Sequence, residues 1–115
     1  MDSLLGSLAL GDLGRHFPPG DARFKGACSL DLLDEVVAKV GQTGWTIGNV
    51  DVTIIAQRPR LAMWLEEMRR NLARRLRVPV DQVSVKATTP DHLGAIGRAE
   101  GIAAQATALV TRGQH

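Results

Sequence analysis

Twelve residues, TIGNVDVTIIAQ from Thr46 to Gln57, constrain this chain more than any other stretch. Val50, Val52 and Ile54 alternate with Asp51, Thr53 and Ile55, and the β-branched content favours a pleated strand with one face turned inward, which Pro59 ends. Such a strand needs neighbours and a cover. Leu61, Trp64, Leu65, Met68, Leu72 and Leu76 recur at helical spacing and predict a long amphipathic helix, with Pro79 beyond its end. VSVKA, starting at Val83, alternates again and predicts a second strand. Upstream, Leu32, Leu33, Val36, Val37 and Val40 follow Ser29, a residue suited to an N-cap, and Gly44 can end that helix. Leu4, Leu5, Leu8 and Leu10 suggest a short helix stopping at Gly11, like the tail of something longer. GIAAQATALVTR stays open between two states: its alanines favour helix, its alternation a strand. Strands interleaved with helices imply an α+β fold, a mixed β-sheet with helices packed on one face, as a single domain over residues 1–115.

Composition removes several classes of function. No apolar run approaches the roughly 20 residues of a membrane span, and MDSLLGSLALGD is too acidic and too interrupted by glycine for a signal peptide. The expectation is a cytoplasmic protein without a membrane partner. The lone Cys28 cannot form an internal disulfide and reads as a small buried hydrophobe. Arg69, Arg70, Arg74, Arg75 and Arg77 crowd one segment and could contact nucleic-acid phosphates. Glu66 and Glu67 share that segment, however, and the net charge is only +2 with 3% aromatic residues and no tyrosine for base stacking. A solvated helix face with no nucleic-acid partner is the reading adopted. His16, His92 and His115 are far apart and lack metal-ligand spacing.

Three segments at element ends combine Gly or Pro with polar groups: GDLGRHFPPGD, AQRPRLA and KATTPDHLGAIGRAEG. Strand ends are common ligand sites, and glycine lets the backbone approach a ligand closely. Taken alone, Thr89, Pro90 and Asp91 equally read as the N-cap and first two positions of a short helix. AQRPRLA equally reads as a strand-to-helix turn, and Asp12 as a solvated acid beyond a helix C-cap.

ALGDLGRHFP, FKGACS, GNVDVTIIAQRPRL and VKATTPDHLGAIGRAEGIAAQA resemble the 2-C-methyl-D-erythritol 2,4-cyclodiphosphate synthase family, from Asp2 to nearly the C-terminus without an evident gap. The resemblance implies a phosphorus–oxygen lyase of non-mevalonate isoprenoid biosynthesis. Such an enzyme converts 4-CDP-2-C-methyl-D-erythritol 2-phosphate to the 2,4-cyclodiphosphate plus CMP. It works as a homotrimer with active sites between neighbouring subunits. By the same resemblance, Thr89 is catalytic and hydrogen-bonds the β-phosphate, within a substrate contact made by Thr88, Thr89, Pro90 and Asp91. Asp91 stands where the family usually has a glutamate that holds magnesium. Ala56, Gln57, Arg58, Pro59, Arg60, Leu61 and Ala62 form the cytosine pocket; Asp12, Leu13 and Gly14 contact the ribose; and Phe17, Pro18, Pro19, Gly20, Asp21 and Ser29 are weaker substrate contacts.

Ala95 and Arg98 fall near the threefold axis, where some members bind an isoprenoid diphosphate in an apolar channel. Ala95 replaces a usual phenylalanine and Ala99 a usual glycine, and Arg98 with Glu100 reads equally well as a trimer-core ion pair. The family takes its zinc ligands from a D-x-H strand and a helical histidine that precede the point matching Asp2. Those residues are not in this chain, so the first strand, a hairpin and part of the first helix are expected to be missing. The chain alone is expected neither to hold zinc nor to cyclise substrate. Two other readings stand beside this one: a non-catalytic trimer-forming remnant, and a nucleic-acid-binding module using the Arg-rich helix.

Overall fold

A computed structural model describes residues 1–24, 26, 28–57, 61–98 and 101–112. The cytosine-pocket expectations at Arg58, Pro59 and Arg60 fall outside the described residues, as do Glu100 and His115. Three strands, β1 (Trp45–Ala56), β2 (Val83–Thr88) and β3 (Ile102–Arg112), form one mixed sheet in the order β2-β1-β3. The central strand β1 runs parallel to β2, from Val50 opposite Val83 to Ile55 opposite Thr88, and antiparallel to β3. A parallel pair needs a crossover, and the helix α4 (Leu65–Leu76) supplies it.

The alternation read in VDVTII sets which face of the sheet is covered. Val50 and Val83 are buried, while Asp51 and Ser84 on the opposite face are exposed. Helices α1 (Asp2–Ser7), α3 (Ser29–Gln42) and α4 pack over the Val50 face. α3 contributes Leu33, Val36, Val37 and Val40, a spacing of three, four and seven that forms one apolar stripe. α1 inserts Leu4 and Leu5, and α4 inserts Ala73 and Leu76. Two polar ties fix the helical layer. Arg69 Nε donates to the Val83 carbonyl at 2.6 Å, joining α4 to β2. Arg75 Nη1 donates to Asp34 Oδ2 at 2.6 Å, joining α4 to α3.

Several local expectations change. β1 runs within a residue of the expected stretch at either end, but a bulge between Ile47 and Asn49 interrupts its period of two. The alanine-rich segment is a strand: the ladder with β1 outweighs the helix propensity of alanine. Ser29 is the first residue inside α3, and the N-cap is Cys28, which makes no side-chain cap. Cys28 is therefore exposed rather than a core residue. The polar loop after α1 holds a short helix, α2 (Leu13–His16), with Asp12 as its N-cap: Asp12 Oδ1 accepts from the Arg15 amide at 3.0 Å. That correction extends to His16, which lies in α2 and hydrogen-bonds the Leu10 carbonyl at 2.7 Å.

Among the described residues, no helix is long and apolar enough to cross a membrane. β3 is one edge of the sheet, eleven residues long, and β2 is the other. Leu5 is fully buried between α3 and the sheet although its own helix has only six residues, so tertiary packing rather than propensity holds α1. Leu5→Ala is expected to lower the unfolding free energy by about 2–5 kcal/mol. Urea unfolding at unchanged m-value is the check.

Candidate functional site

At the C-terminal ends of the parallel pair the sheet opens into a pocket of about 350 Å³ lined by Ala56, Gln57, Leu61, Ala62, Ala87, Thr88 and Thr89. Its origin is topological. β1 and β2 both end here, and the crossover that starts α4 leaves from the same edge, so two strand ends and one loop surround a cleft. The small side chains of Ala56, Ala62 and Ala87 leave the space, and the volume suits a ligand of nucleoside size. Ala87 was not singled out in the sequence; the signal was its place one residue before Thr88 on the last rungs of β2, where Ala87 pairs with Ile54.

The rim of the pocket is a turn. Thr89 Oγ1 accepts from the Asp91 amide at 3.2 Å, and Asp91 and His92 both take left-handed backbone angles, with φ of 53° and 62°. Non-glycine residues in that region cost on the order of 1–3 kcal/mol each and persist only where surroundings enforce them. Two neighbours do so here. Gln57 Oε1 accepts from Thr89 Oγ1 at 3.1 Å and from the His92 amide at 3.0 Å. On the other side, Gly97 in α5 (Gly94–Gly97) lies so close to His92 that a Cβ there would overlap its backbone. The helix expected to start at Thr89 thus starts only after Leu93. The turn instead presents the exposed Thr88, Thr89 and Asp91 side chains beside the pocket mouth.

Other expected contacts lie elsewhere in the subunit. Leu13 lines a separate recess with Asp2, Val52 and Gln105, and Asp12 caps α2. The Phe17 ring is buried in the core. Pro18, Pro19 and Gly20 form an exposed stretch, after which Asp21 pairs with Arg23 at 2.7 Å. Hydrogen bonds from the Arg23 side chain, then its backbone amide, hold the Asp21 carboxyl below the usual carboxylate range. Ser29 is exposed at the start of α3. Ala95 lies in α5 with Arg98 just after it, and both are exposed. One subunit therefore unites Ala56, Gln57, Leu61, Ala62, Thr88 and Thr89, and does not bring Asp12–Asp21 or Ser29 into the same pocket.

Of the five arginines in this segment, Arg69 and Arg75 are tied to neighbouring elements, and Arg70, Arg74 and Arg77 are exposed. Arg69 pairs with Glu66 and the Val83 carbonyl, Arg70 with Glu66, and Arg75 with Asp31 and Asp34. That arrangement does not favour a phosphate-binding stripe. For metals, no group of three His, Cys, Asp or Glu side chains converges among the described residues. The described side chains therefore offer no set fitting a zinc ion, which takes at least three protein ligands.

Gly97→Ala tests how the turn is held. It is expected to cost about 1–3 kcal/mol and to move the amide resonances of residues 89–93, while those around Val36 stay in place. Unchanged resonances in the turn would mean that the close approach of α5 does not shape it.

Residues 1–111 match the YgbB family. The 2-C-methyl-D-erythritol 2,4-cyclodiphosphate synthase of Geobacter metallireducens is 56% identical over 111 residues, covering 96% of this chain and 71% of that protein. The synthase of Pseudomonas aeruginosa is 58% identical over 109 residues, covering 95% of this chain and 69% of that protein. Among solved structures, the bifunctional IspDF of Campylobacter jejuni superposes with a TM-score of 0.89 at 38% identity, covering 93% of this chain and 29% of that one. A CDP complex of IspF from Plasmodium falciparum gives 0.85 at 30% identity over 98% of this chain and 67% of its own. With its mixed sheet, one-sided helical layer and strand-end pocket, the chain belongs to the YgbB family, and its sequence is similar to the 2-C-methyl-D-erythritol 2,4-cyclodiphosphate synthases.

Proposed function

We propose that this chain carries the nucleotide-binding half of a cyclodiphosphate synthase active site, with the strand-end pocket taking the cytosine of a CDP-linked methylerythritol phosphate. The observation that carries the reading is the pocket itself: Ala56, Gln57, Leu61 and Ala62, from one matching segment, face Thr88 and Thr89, from the other, across one cleft. The relatives' names and the CDP in the neighbouring IspF complex support the same ligand class.

The reaction in that reading is an intramolecular phosphoryl transfer. The 2-phosphate oxygen bonds to the β-phosphorus, the bond to the bridging oxygen breaks, and CMP leaves with that electron pair. Such a step is accelerated mainly by positioning and charge stabilisation. The pocket fixes the base, which places the diphosphate over the turn. Thr89 donates its hydroxyl proton to a β-phosphate oxygen, offering a dipole where charge develops. Asp91, exposed on the same turn, is the residue of this chain suited to a magnesium ion on the diphosphate, since magnesium is usually held by one or two carboxylates together with substrate phosphates. A magnesium ion held there would supply positive charge to offset that of the diphosphate.

The ribose contact at Asp12–Gly14 and the contacts at Pro18–Asp21 and Ser29 belong, in this proposal, to a site completed by a neighbouring subunit. The open face of the sheet supports a trimer. Thr46, Asp51, Lys86, Thr107 and Leu109 are exposed there, and Leu109 remains 57% accessible. Ala95 and Arg98 would then approach the axis. With Ala95 in place of the bulkier family residue, Arg98 acts there as a trimer-core ion-pair residue rather than as an isoprenoid-diphosphate ligand. The localisation that accompanies this pathway reading is cytoplasmic.

Two outcomes test the proposal. Calorimetry is expected to show CDP bound more tightly than UDP, and Asp12→Asn, which keeps the α2 cap, is expected to weaken CDP about tenfold by removing a charged acceptor for the ribose. Equal affinity for the two nucleotides would remove the cytosine assignment. Metal analysis with a CMP-release assay is expected to find neither stoichiometric zinc nor turnover in this chain alone, in keeping with its donor set. Both are expected to appear after fusion of a family N-terminal segment ahead of Asp2. Stoichiometric zinc with turnover in the unfused chain would overturn that part.

A further inference from the structure

Gln57 does more than line the pocket. It sits one residue beyond the end of β1, past the last parallel rung at Ile55 and Thr88. Its side chain extends the strand pairing by another route. The His92 amide can only donate, so the bond at 3.0 Å fixes the oxygen of the Gln57 side chain toward the turn. The same oxygen accepts the single proton of the Thr89 hydroxyl at 3.1 Å. The Gln57 amide nitrogen lies 3.5 Å from His92 Nε2, at the limit of a contact. One half-buried side chain thus holds two points of the turn, across 32 and 35 residues of sequence. Asp91 and His92 are in left-handed conformations that relax without such support.

We propose that Gln57 is a positioning residue for the diphosphate. It stores the Thr89 proton in the nucleotide-free chain and releases it to a phosphate oxygen when the nucleotide binds, while its bond to His92 keeps the turn in register. No covalent bond changes in this exchange. The Thr89 O–H turns from one acceptor to another, and its oxygen continues to accept from the Asp91 amide. A carbonyl-type oxygen has two lone pairs, so losing Thr89 leaves Gln57 with a partner and nothing orphaned. A charged phosphate oxygen is the stronger acceptor, which gives the exchange its direction. The inference rests on the nucleotide-site reading for its ligand, but the clamp itself is a property of the free chain.

The test uses Gln57→Met, which keeps length and bulk and removes the acceptor, with CDP and cytidine as probes. Because Gln57 also lines the pocket, the readout is a ratio: a change of pocket shape weakens both ligands alike, whereas loss of the placed Thr89 hydroxyl weakens only the phosphate-bearing one, so CDP affinity is expected to fall about tenfold more than cytidine affinity. Thr89→Val is expected to lose CDP affinity to a similar extent. The double variant is expected to lose little more than either alone, since without Gln57 the turn no longer places the hydroxyl that Thr89→Val removes. In the absence of any nucleotide, the His92 amide is expected to exchange faster in Gln57→Met while the Val83 amide remains protected. Equal losses for CDP and cytidine, or additive losses in the double variant, would overturn the positioning role. An unchanged His92 exchange rate would overturn the clamp. If the parent chain binds neither CDP nor cytidine, the nucleotide reading fails, and the His92 exchange still decides the clamp.

Discussion

The parallel register of β1 on β2 is the constraint on which the rest depends. Val50 against Val83 puts both residues under the helices and leaves Asp51 and Lys86 on the other face, where their side chains pair. A slip of one residue would reverse every side chain and expose the apolar set. The same register brings Ile55 beside Thr88, so that Gln57, two residues on, and Thr89, one residue on, meet side chain to side chain. Core and candidate site are therefore read out from one alignment of two strands. A turn held by contacts spanning more than thirty residues exists only when that alignment is correct.

The helical layer secures the alignment from outside. A parallel pair depends on a long crossover, and α4 is pinned at both sides: Arg69 to the backbone of β2 and Arg75 to the acids of α3. These arginines looked in the sequence like a surface feature. Two of the five, Arg69 and Arg75, also carry contacts that orient α4, while Arg70 pairs with Glu66 on the same helix and Arg74 and Arg77 are exposed.

Much of the fold was legible because alternation and helical spacing are direct images of burial. Val50, Val52 and Ile54 announced a one-sided strand, and Leu33, Val36, Val37 and Val40 announced the α3 stripe. What stayed hidden depended on contacts distant in sequence. The bulge after Ile47 was hidden inside the strand, and β3 was masked by alanines whose helix preference loses to an eleven-residue ladder. At the site, the quoted motifs named Thr88, Thr89 and the segment beginning at Ala56, and the structure joins them in one pocket. The motifs could not reveal that Asp91 and His92 are left-handed, that Gly97 presses on His92, or that Gln57 holds the turn. Each of those is a relation between residues, absent from any one segment alone.

The described pocket and the supports of its rim all fall between Ala56 and Gly97, inside the last strand end of β1, the crossover, β2 and α5. Among the described residues, β3 and the first forty-odd residues contribute no lining residue; α1 and α3 pack against the sheet instead. The pocket is thus inherited as one continuous cassette of chain. Substitutions outside that cassette alter how firmly the cleft is mounted, whereas its shape can drift only through changes within it. A rearranged gene that moved the cassette whole, with strands enough to carry it, would move the cleft intact.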